Sequence, residues 1–157
     1  MLKLILADDE EIIRESIRAL IDWDSIGVEV VASCKNGPET LQAILTLHPD
    51  IVMTDIKMPG MSGLDLIAEV YNRKDLMTEF ILLSGYADFE YAKQAITYRV
   101  SNYLLKPCNE NQIIEAVKKA SAEIRKRKKI KELIPDTALT DVPVMQIAKK
   151  AMPMIAF

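Results

Sequence analysis

The sequence is poor in the residues that usually mark metal clusters and disulfide frameworks. Its 157 residues include one histidine and two cysteines, Cys34 and Cys108, with neither a metal-ligand spacing nor the number that a disulfide framework needs. His48 precedes Pro49 in a loop-like stretch, and a lone histidine there is expected at the surface rather than in a site. We therefore expect two reduced thiols in a cytoplasmic protein.

Long hydrophobic runs and a strong charge of either sign are also missing. No run approaches the roughly 18 apolar residues that span a bilayer, and the run at residues 4–7 is too short for a signal peptide. The net charge of −3 gives no general basic character that would indicate nucleic-acid binding. Half of the residues are hydrophobic, which is enough for one core. These features predict a cytoplasmic protein that has no membrane association.

Five short apolar runs predict a parallel β-sheet. Each run is rich in Ile, Val or Leu and nearly continuous, which is typical of strands that are buried on both faces. The predicted strands are Leu2–Ala7, Val28–Ala32, Ile51–Thr54, Phe80–Leu83 and Asn102–Leu105. Five stretches with helical spacing alternate with them, near residues 12–21, 41–47, 64–70, 89–96 and 113–124. The order is βα repeated five times, an α/β fold with helices on both faces of the sheet.

Polar residues follow four of the predicted strands. They are Asp8 and Asp9 after the first strand, Asp55 after the third, Ser84 after the fourth and Lys106 after the fifth. Because the carboxyl ends of parallel strands share one edge of the sheet, these side chains are expected in one pocket. Carboxylates crowded together repel each other, and Mg²⁺ with its preference for oxygen ligands would remove that repulsion. Asp55 could then attack phosphorus, while Mg²⁺ and Lys106 neutralise phosphoryl charge and Ser84 donates a hydrogen bond.

The sequence resembles the receiver domain of bacterial two-component response regulators over roughly residues 1–128. The matching motifs are Leu4-Ile5-Leu6-Ala7-Asp8-Asp9-Glu10, Asp55-Ile56-Lys57-Met58-Pro59-Gly60-Met61-Ser62-Gly63, Leu83-Ser84-Gly85-Tyr86 and Tyr103-Leu104-Leu105-Lys106-Pro107. Any single motif is weak, but the set in this order and spacing is specific. From this resemblance we predict a doubly wound, five-stranded parallel (βα)5 sheet of flavodoxin-like topology, with the strand order 2-1-3-4-5.

The resemblance also implies a role for each site residue. Asp55 would be the phosphoacceptor, with Ser84 and Lys106 as the catalytic residues that contact the phosphoryl group. Asp8, Asp9, Asp55 and the main-chain carbonyl of Lys57 would bind Mg²⁺. Ser84 and Tyr103 would be the switch residues. The protein would be a signalling phosphoacceptor that catalyses only its own phosphorylation and dephosphorylation, rather than an enzyme.

The implied partners are a sensor histidine kinase and a second copy of the chain. The copies would meet on the face formed by the predicted fourth helix, the fifth strand and the fifth helix, with Lys93, Tyr98 and Lys118 as candidate contacts. Slow dephosphorylation, with Lys57 and Tyr86 bordering the water path, is a further hypothesis.

Two stretches resemble the receiver subgroup that carries an AraC-type helix-turn-helix output domain. They are Ile21-Asp22-Trp23 and the segment from Ser84 to Ala92. Trp23 is expected to cap the core below the first helix. Residues 129–157 match no output domain and are interpreted as a linker or tail, so DNA binding is expected only through an output domain that is absent from this chain. The basic run 125–129 is expected to be a solvated helix end.

Two other functions are alternatives to a phosphoacceptor switch. A haloacid-dehalogenase-like phosphohydrolase would need a second acid two residues after Asp55, where this sequence has Lys57. A stand-alone or degenerate receiver that acts only as an interaction module would be expected to lose an acid or the lysine, and none is lost.

Overall fold

The protein is described here from a computed structural model. The structure describes residues 1–73, 75–85 and 100–133. The predicted fourth helix at 89–96, Tyr86, Lys93, Tyr98 and the tail beyond residue 133 lie outside these ranges. By contacts the chain divides into two compact units, Met1–Ser121 and Ala122–Phe157.

Five strands form one parallel sheet in the order β2-β1-β3-β4-β5, which confirms the predicted topology. The strands are β1 (Leu2–Ala7), β2 (Val28–Cys34), β3 (Ile51–Asp55), β4 (Glu79–Ser84) and β5 (Val100–Leu105). The first agrees with its predicted bounds, and the other four extend one or two residues further at one or both ends.

Within the described ranges, four α-helices and one 3₁₀ helix accompany the sheet. The α-helices are α1 (Glu11–Leu20), α2 (Gly37–Leu47), α3 (Gly63–Tyr71) and α4 (Glu110–Leu133), and the 3₁₀ helix is Asp24–Ile26. The predicted fifth helix is α4, and it continues five residues beyond the predicted domain boundary at residue 128. Among the described residues, no helix is both long enough and apolar enough to cross a membrane.

Side-chain oxygens cap two of the helices where the sequence indicated a start. Asn36 accepts a hydrogen bond from the Glu39 amide at 2.7 Å, ahead of Pro38 in the first turn of α2. Asn109 and Gln112 exchange reciprocal bonds of 2.9 and 2.8 Å at the start of α4. This capping box satisfies two backbone donors that the first turn would otherwise leave open.

The central strands β1, β3 and β4 are almost completely buried because helices cover both faces of the sheet. Alternate residues point to opposite faces, so Ile5 and Val52 join the cluster that α2 and α3 cover with Ile44 and Ile67. The opposite face carries Leu83, which shares a groove with residues of α1 and of the first turn of α4.

Two expectations for single residues are confirmed, and the expectation for the basic run 125–129 is confirmed except at Arg127. Trp23 is 9% exposed and its indole Nε1 donates to the Arg18 carbonyl at 3.1 Å, so it packs below α1 as expected. His48 is exposed and ends α2 in the left-handed region with φ of 48°. In the basic run, four side chains are exposed as expected, but Arg127 is buried, and burial lowers its pKa to about 10.

Candidate functional site

Strand register places the predicted site residues at one edge of the sheet. Ala7 pairs with Thr54, so the next residues on β1 and β3 are Asp8 and Asp55. Ser84, the last residue of β4, pairs with Leu105, and its carbonyl accepts the Lys106 amide at 2.8 Å. The parallel sheet therefore brings together the ends of four strands from residues that lie up to 98 positions apart.

Lys106 joins the two buried carboxylates of this edge. Its Nζ lies 2.8 Å from Asp8 Oδ2 and 3.1 Å from Asp55 Oδ2. The expectation that a divalent cation alone removes the repulsion was incomplete, because an ammonium of the chain itself neutralises part of the charge. Asp8 and Asp55 share one ammonium, and the neighbouring Asp9 and Glu10 add two further carboxylates, so the acidic groups still attract a cation.

Burial has opposite consequences for the two members of the Lys106–Asp55 pair. Burial raises the pKa of Asp55, and the charge of Asp8 adds to this effect against the lowering influence of Lys106. Burial acts to lower the pKa of Lys106, but the hydrogen bond to Asp8 and the charges of Asp55 and Asp8 outweigh it and raise that pKa. The lysine is thus held as a cation beside the two carboxylates.

Asp8, Asp9 and Glu10 form a group of oxygen ligands at the end of β1. One carboxylate oxygen from each lies within 4.8 Å of the others. Asp8 is buried, whereas Asp9 and Glu10 are exposed, and Asp8 Oδ1 accepts the Glu10 amide at 2.9 Å. Sequence reasoning did not name Glu10 as a ligand, although it lies within the acidic run. Asp55 is connected to this group through Lys106.

Asp55 is held at the start of a tightly built loop. Its Oδ1 accepts the Ile56 amide at 2.8 Å, and the Gly63 amide at the start of α3 donates to the Ile56 carbonyl at 2.6 Å. A Cβ on Gly63 would lie 2.3 Å from the Asp55 carbonyl oxygen, so only glycine permits this approach. Lys57, the source of the predicted carbonyl ligand, lies in the same loop.

The other two predicted site residues, Ser84 and Tyr103, lie on β4 and β5. Ser84 is completely buried, and its Oγ has no hydrogen-bond partner among residues 1–73, 75–85 and 100–133. Burying a hydroxyl without a hydrogen bond costs free energy, because its hydration is lost and not replaced. An oxygen of a bound ligand could accept a hydrogen bond from it and offset that cost. Tyr103, the predicted switch aromatic, is half-buried on β5.

An apolar groove of about 430 Å³ opens next to Lys106. Side chains of α1, Pro107, Cys108 and Ile113 of α4 line it. Ile12 of α1 is 81% exposed and Leu20 is 50% exposed, although both belong to the apolar stripe that predicted this helix. Part of this apolar stripe therefore faces solvent at the groove rather than the core, and sequence periodicity could not tell its exposed residues from its buried ones.

The receiver-domain resemblance is matched by independent comparisons. Residues 4–118 match the family model described as the response regulator receiver domain. The chain is 46% identical over 127 residues to the uncharacterized transcriptional regulatory protein YesN of Bacillus subtilis, covering 81% of this chain and 34% of that protein. The chain thus spans about a third of the length of this relative.

Solved structures agree with the sequence comparison. The REC domain of AraT, a response regulator from Geobacillus stearothermophilus, is 37% identical with a TM-score of 0.75, covering 81% of this chain and 98% of that one. A two component transcriptional regulator AraC from Clostridium phytofermentans is 28% identical with a TM-score of 0.75, covering 82% and 98%.

The match extends over most of the chain, and the matched residues include the strand ends that Lys106 connects. The sheet order is also the one expected from the resemblance. The chain therefore belongs to the response regulator receiver domain family, whose members are signalling phosphoacceptors.

Proposed function

We propose that Asp55 accepts a phosphoryl group from a sensor histidine kinase in a Mg²⁺-dependent reaction, and that the resulting change controls transcription. One observation carries the proposal: Lys106 pairs with both Asp8 and Asp55, next to the strand end where the buried Ser84 hydroxyl has no hydrogen-bond partner in the described part of the chain. The ammonium and the hydroxyl are donors for the phosphoryl oxygens, and the Asp55 carboxylate is the nucleophile.

The donor set fits a hard divalent cation. Asp8, Asp9, Asp55 and the main-chain carbonyl of Lys57 would hold Mg²⁺, and all of them offer oxygen, the ligand atom that Mg²⁺ prefers. The carboxylate oxygens of Asp8 and Asp9, which lie within 4.8 Å of each other, support this assignment. The bound cation would supply charge neutralisation on the phosphoryl oxygens.

The residues of the chain carry the transfer itself. A carboxylate oxygen of Asp55 forms a bond to phosphorus while the phosphorus–nitrogen bond of a phosphohistidine donor breaks, and the electron pair leaves with the imidazole. The Ile56 amide holds Asp55 Oδ1 at 2.8 Å, which limits rotation of the carboxylate. Lys106, now paired with Asp55 Oδ2 at 3.1 Å, would contact the phosphoryl oxygens as their charge arrives.

The signal then passes to the rest of the domain. Ser84 would donate a hydrogen bond from its hydroxyl to a phosphoryl oxygen, and Tyr103 would follow toward the space near β4. Both are proposed as switch residues. Contact with the phosphoryl group would favour one of two packings of these side chains, and this shift is the source of the conformational change. Dimerisation through β5, α4 and the segment before β5 is the proposed consequence, with exposed Lys118 as a candidate contact.

A kinase must bring its phosphohistidine to this edge of the sheet. The apolar groove opens beside Lys106, and exposed Ile12 and Leu20 on its α1 wall support a helical partner surface there. The proposed output is transcription, which the similarity to the transcriptional regulatory protein YesN supports, and the similarity to the Clostridium regulator AraC supports an AraC-type output domain. DNA binding would belong to that domain, and the location would be cytoplasmic.

Intact-mass measurement after incubation with Mg²⁺ and acetyl phosphate tests the proposal. We expect the addition of one phosphoryl group to the parent and none to Asp55→Asn. Asp50→Asn is the matched control, because Asp50 precedes the opposite end of the same strand and its Oδ2 accepts the Lys3 amide at 2.8 Å. Phosphorylation of Asp55→Asn at the parental level would refute the assignment. A parent that stays unmodified would favour the interaction-module alternative.

A further inference from the structure

Arg14 connects α1 to the ends of two strands at the acidic edge. The residue is half-buried, and its guanidinium makes two hydrogen bonds in different directions. Nη1 donates to the Asp8 carbonyl at 2.6 Å, and Nε donates to Ser33 Oγ on β2 at 2.9 Å. Because the guanidinium is planar and rigid, anchoring one nitrogen on Ser33 directs the other toward Asp8.

The bonded carbonyl belongs to the peptide unit between Asp8 and Asp9. This unit is planar, so holding the Asp8 oxygen also fixes the direction in which the chain leaves toward the Asp9 Cα. The other polar groups of Asp8 are already engaged: its amide donates to the Cys34 carbonyl at 3.1 Å, and its carboxylate accepts from Glu10 and Lys106. Arg14 completes this set, and it acts at the link to the exposed Asp9.

The charge of Arg14 and its geometry have opposite consequences for a cation. A positive charge near Asp8 repels a divalent cation, so removing it would strengthen binding if charge were the whole effect. Loss of the hydrogen bond frees the Asp8–Asp9 peptide, and ligands that must be ordered on binding hold a metal more weakly. The sign of the change in affinity therefore separates the two roles.

We propose that Arg14 is a positioning residue for the divalent-cation site, acting by holding the peptide that connects Asp8 and Asp9. The inference rests on the proposed function, because it assumes that these two carboxylates bind Mg²⁺. It adds a contact from α1 that is absent from the predicted set of site residues.

The test compares Arg14→Gln and Arg14→Lys with Arg18→Gln in calorimetric Mg²⁺ titrations of the full chain. Arg18 lies one turn further along α1 and is exposed, so its variant removes the same charge and helix-forming side chain without the Asp8 contact. We expect Mg²⁺ to bind roughly 10-fold more weakly to Arg14→Gln, as for other groups that orient metal ligands. The Mg²⁺ affinity of Arg18→Gln should stay within about 2-fold of the parent. The affinity of Arg14→Lys should lie between those of Arg14→Gln and the parent, because lysine cannot reach both acceptors.

Ser33→Ala provides a second variant that leaves Arg14 in place. Loss of the Ser33 anchor should weaken Mg²⁺ binding about 3-fold, and adding it to Arg14→Gln should have almost no further effect. Tighter or unchanged Mg²⁺ binding by folded Arg14→Gln would overturn the inference. If that variant does not fold, unchanged binding by Ser33→Ala overturns it instead.

Phosphorylation by acetyl phosphate separates this inference from the proposed function. At saturating Mg²⁺ the rate of Arg14→Gln should return to within about 3-fold of the parent, since a positioning role affects the Mg²⁺ requirement rather than the nucleophile. A parent that binds Mg²⁺ but takes up no phosphoryl group refutes the proposed function and leaves the affinity comparison valid. A normally phosphorylated parent whose Arg14→Gln variant binds Mg²⁺ as tightly refutes the role of Arg14 alone.

Discussion

The two ends of the β-sheet both contain buried polar residues, and the two ends use them differently. At the amino end, Thr78 Oγ1 donates to the Pro49 carbonyl at 2.9 Å, Glu79 accepts from the Ser101 hydroxyl and the Lys3 amide donates to Asp50. At the carboxyl end, Asp8 and Asp55 share the ammonium of Lys106, and Ser84 Oγ has no partner among the described residues.

This difference shows that a buried polar residue is not by itself a sign of function. The amino-end residues connect neighbouring strands and loops, so their hydrogen bonds serve the fold. The carboxyl-end residues keep unused hydrogen-bonding capacity and excess negative charge, which the protein tolerates at a cost in stability. The concentration of carboxylates around Lys106 is the property that distinguishes the site.

The largest expected effect comes from Lys106→Gln. Phosphorylation should slow by at least about 100-fold, as when one charge-stabilising donor is removed from an active site. In EDTA the variant should also lose about 3 kcal/mol of stability, because Asp8 and Asp55 remain buried without their partner. Denaturant unfolding with and without Mg²⁺ measures this, and Mg²⁺ should restore part of the loss. A variant as stable as the parent in EDTA would mean that Lys106 does not hold this end together.

Ser84→Ala should affect phosphorylation and leave the resting fold unchanged. A hydrogen bond to a charged oxygen contributes about 1.5 kcal/mol or more, so the rate with acetyl phosphate should fall roughly 10-fold. The free energy of unfolding should stay within about 0.5 kcal/mol of the parent, since the hydroxyl has no partner to lose among the described residues. A large loss of stability would show that this hydroxyl already serves the fold.

Thr78→Val is the matched change at the amino end and should behave in the opposite way. It removes the donor to the Pro49 carbonyl, which lies in a buried environment, and should cost about 1 to 2 kcal/mol of unfolding free energy. The rate of phosphorylation, measured well below the unfolding midpoint, should be unchanged. If Thr78→Val slowed phosphorylation while leaving stability intact, the division between the two ends would be wrong.

The smallest effect should be a pH-dependent gain of stability in Asp55→Asn. Because burial raises the pKa of Asp55, the folded protein binds this proton more tightly than the unfolded chain does, and stability falls as pH rises from the ordinary aspartate pKa through the raised one. In EDTA at neutral pH, Asp55→Asn should therefore melt at a higher temperature than the parent. The difference should shrink at pH values below the ordinary pKa, and an unchanged difference there would point to another cause.

Strand positions and helix starts were predictable because local signals carry them, whereas the sheet order was predicted from the resemblance to receiver domains. Continuous apolar runs gave the strands, and Asn36 and Asn109 marked helix starts that the structure caps with their side chains. The convergence of Asp8, Asp55, Ser84 and Lys106 followed from parallel topology alone.

Side-chain partnerships across the sheet were less accessible to sequence reasoning. The pairing of Lys106 with Asp8 as well as Asp55 depends on the rotamer of a flexible side chain in a shared pocket. The reach of Arg14 to Asp8 and Ser33 depends on the placement of α1 over two strand ends. Arg14 is not part of the apolar stripe that predicted α1, and helical periodicity cannot detect either acceptor.

The position of Trp23 decides what fluorescence can report about this protein. It is the only tryptophan in the sequence, and its indole is buried and bonded to Arg18 near the end of α1. Because the indole contacts Arg18 and α1 begins at Glu11, about 10 Å of the helix separates the indole from the acidic residues at the helix start. Its emission should shift strongly toward the red on unfolding and should change little with ion occupancy, which makes it a reporter of folding that does not interfere with measurements at the site.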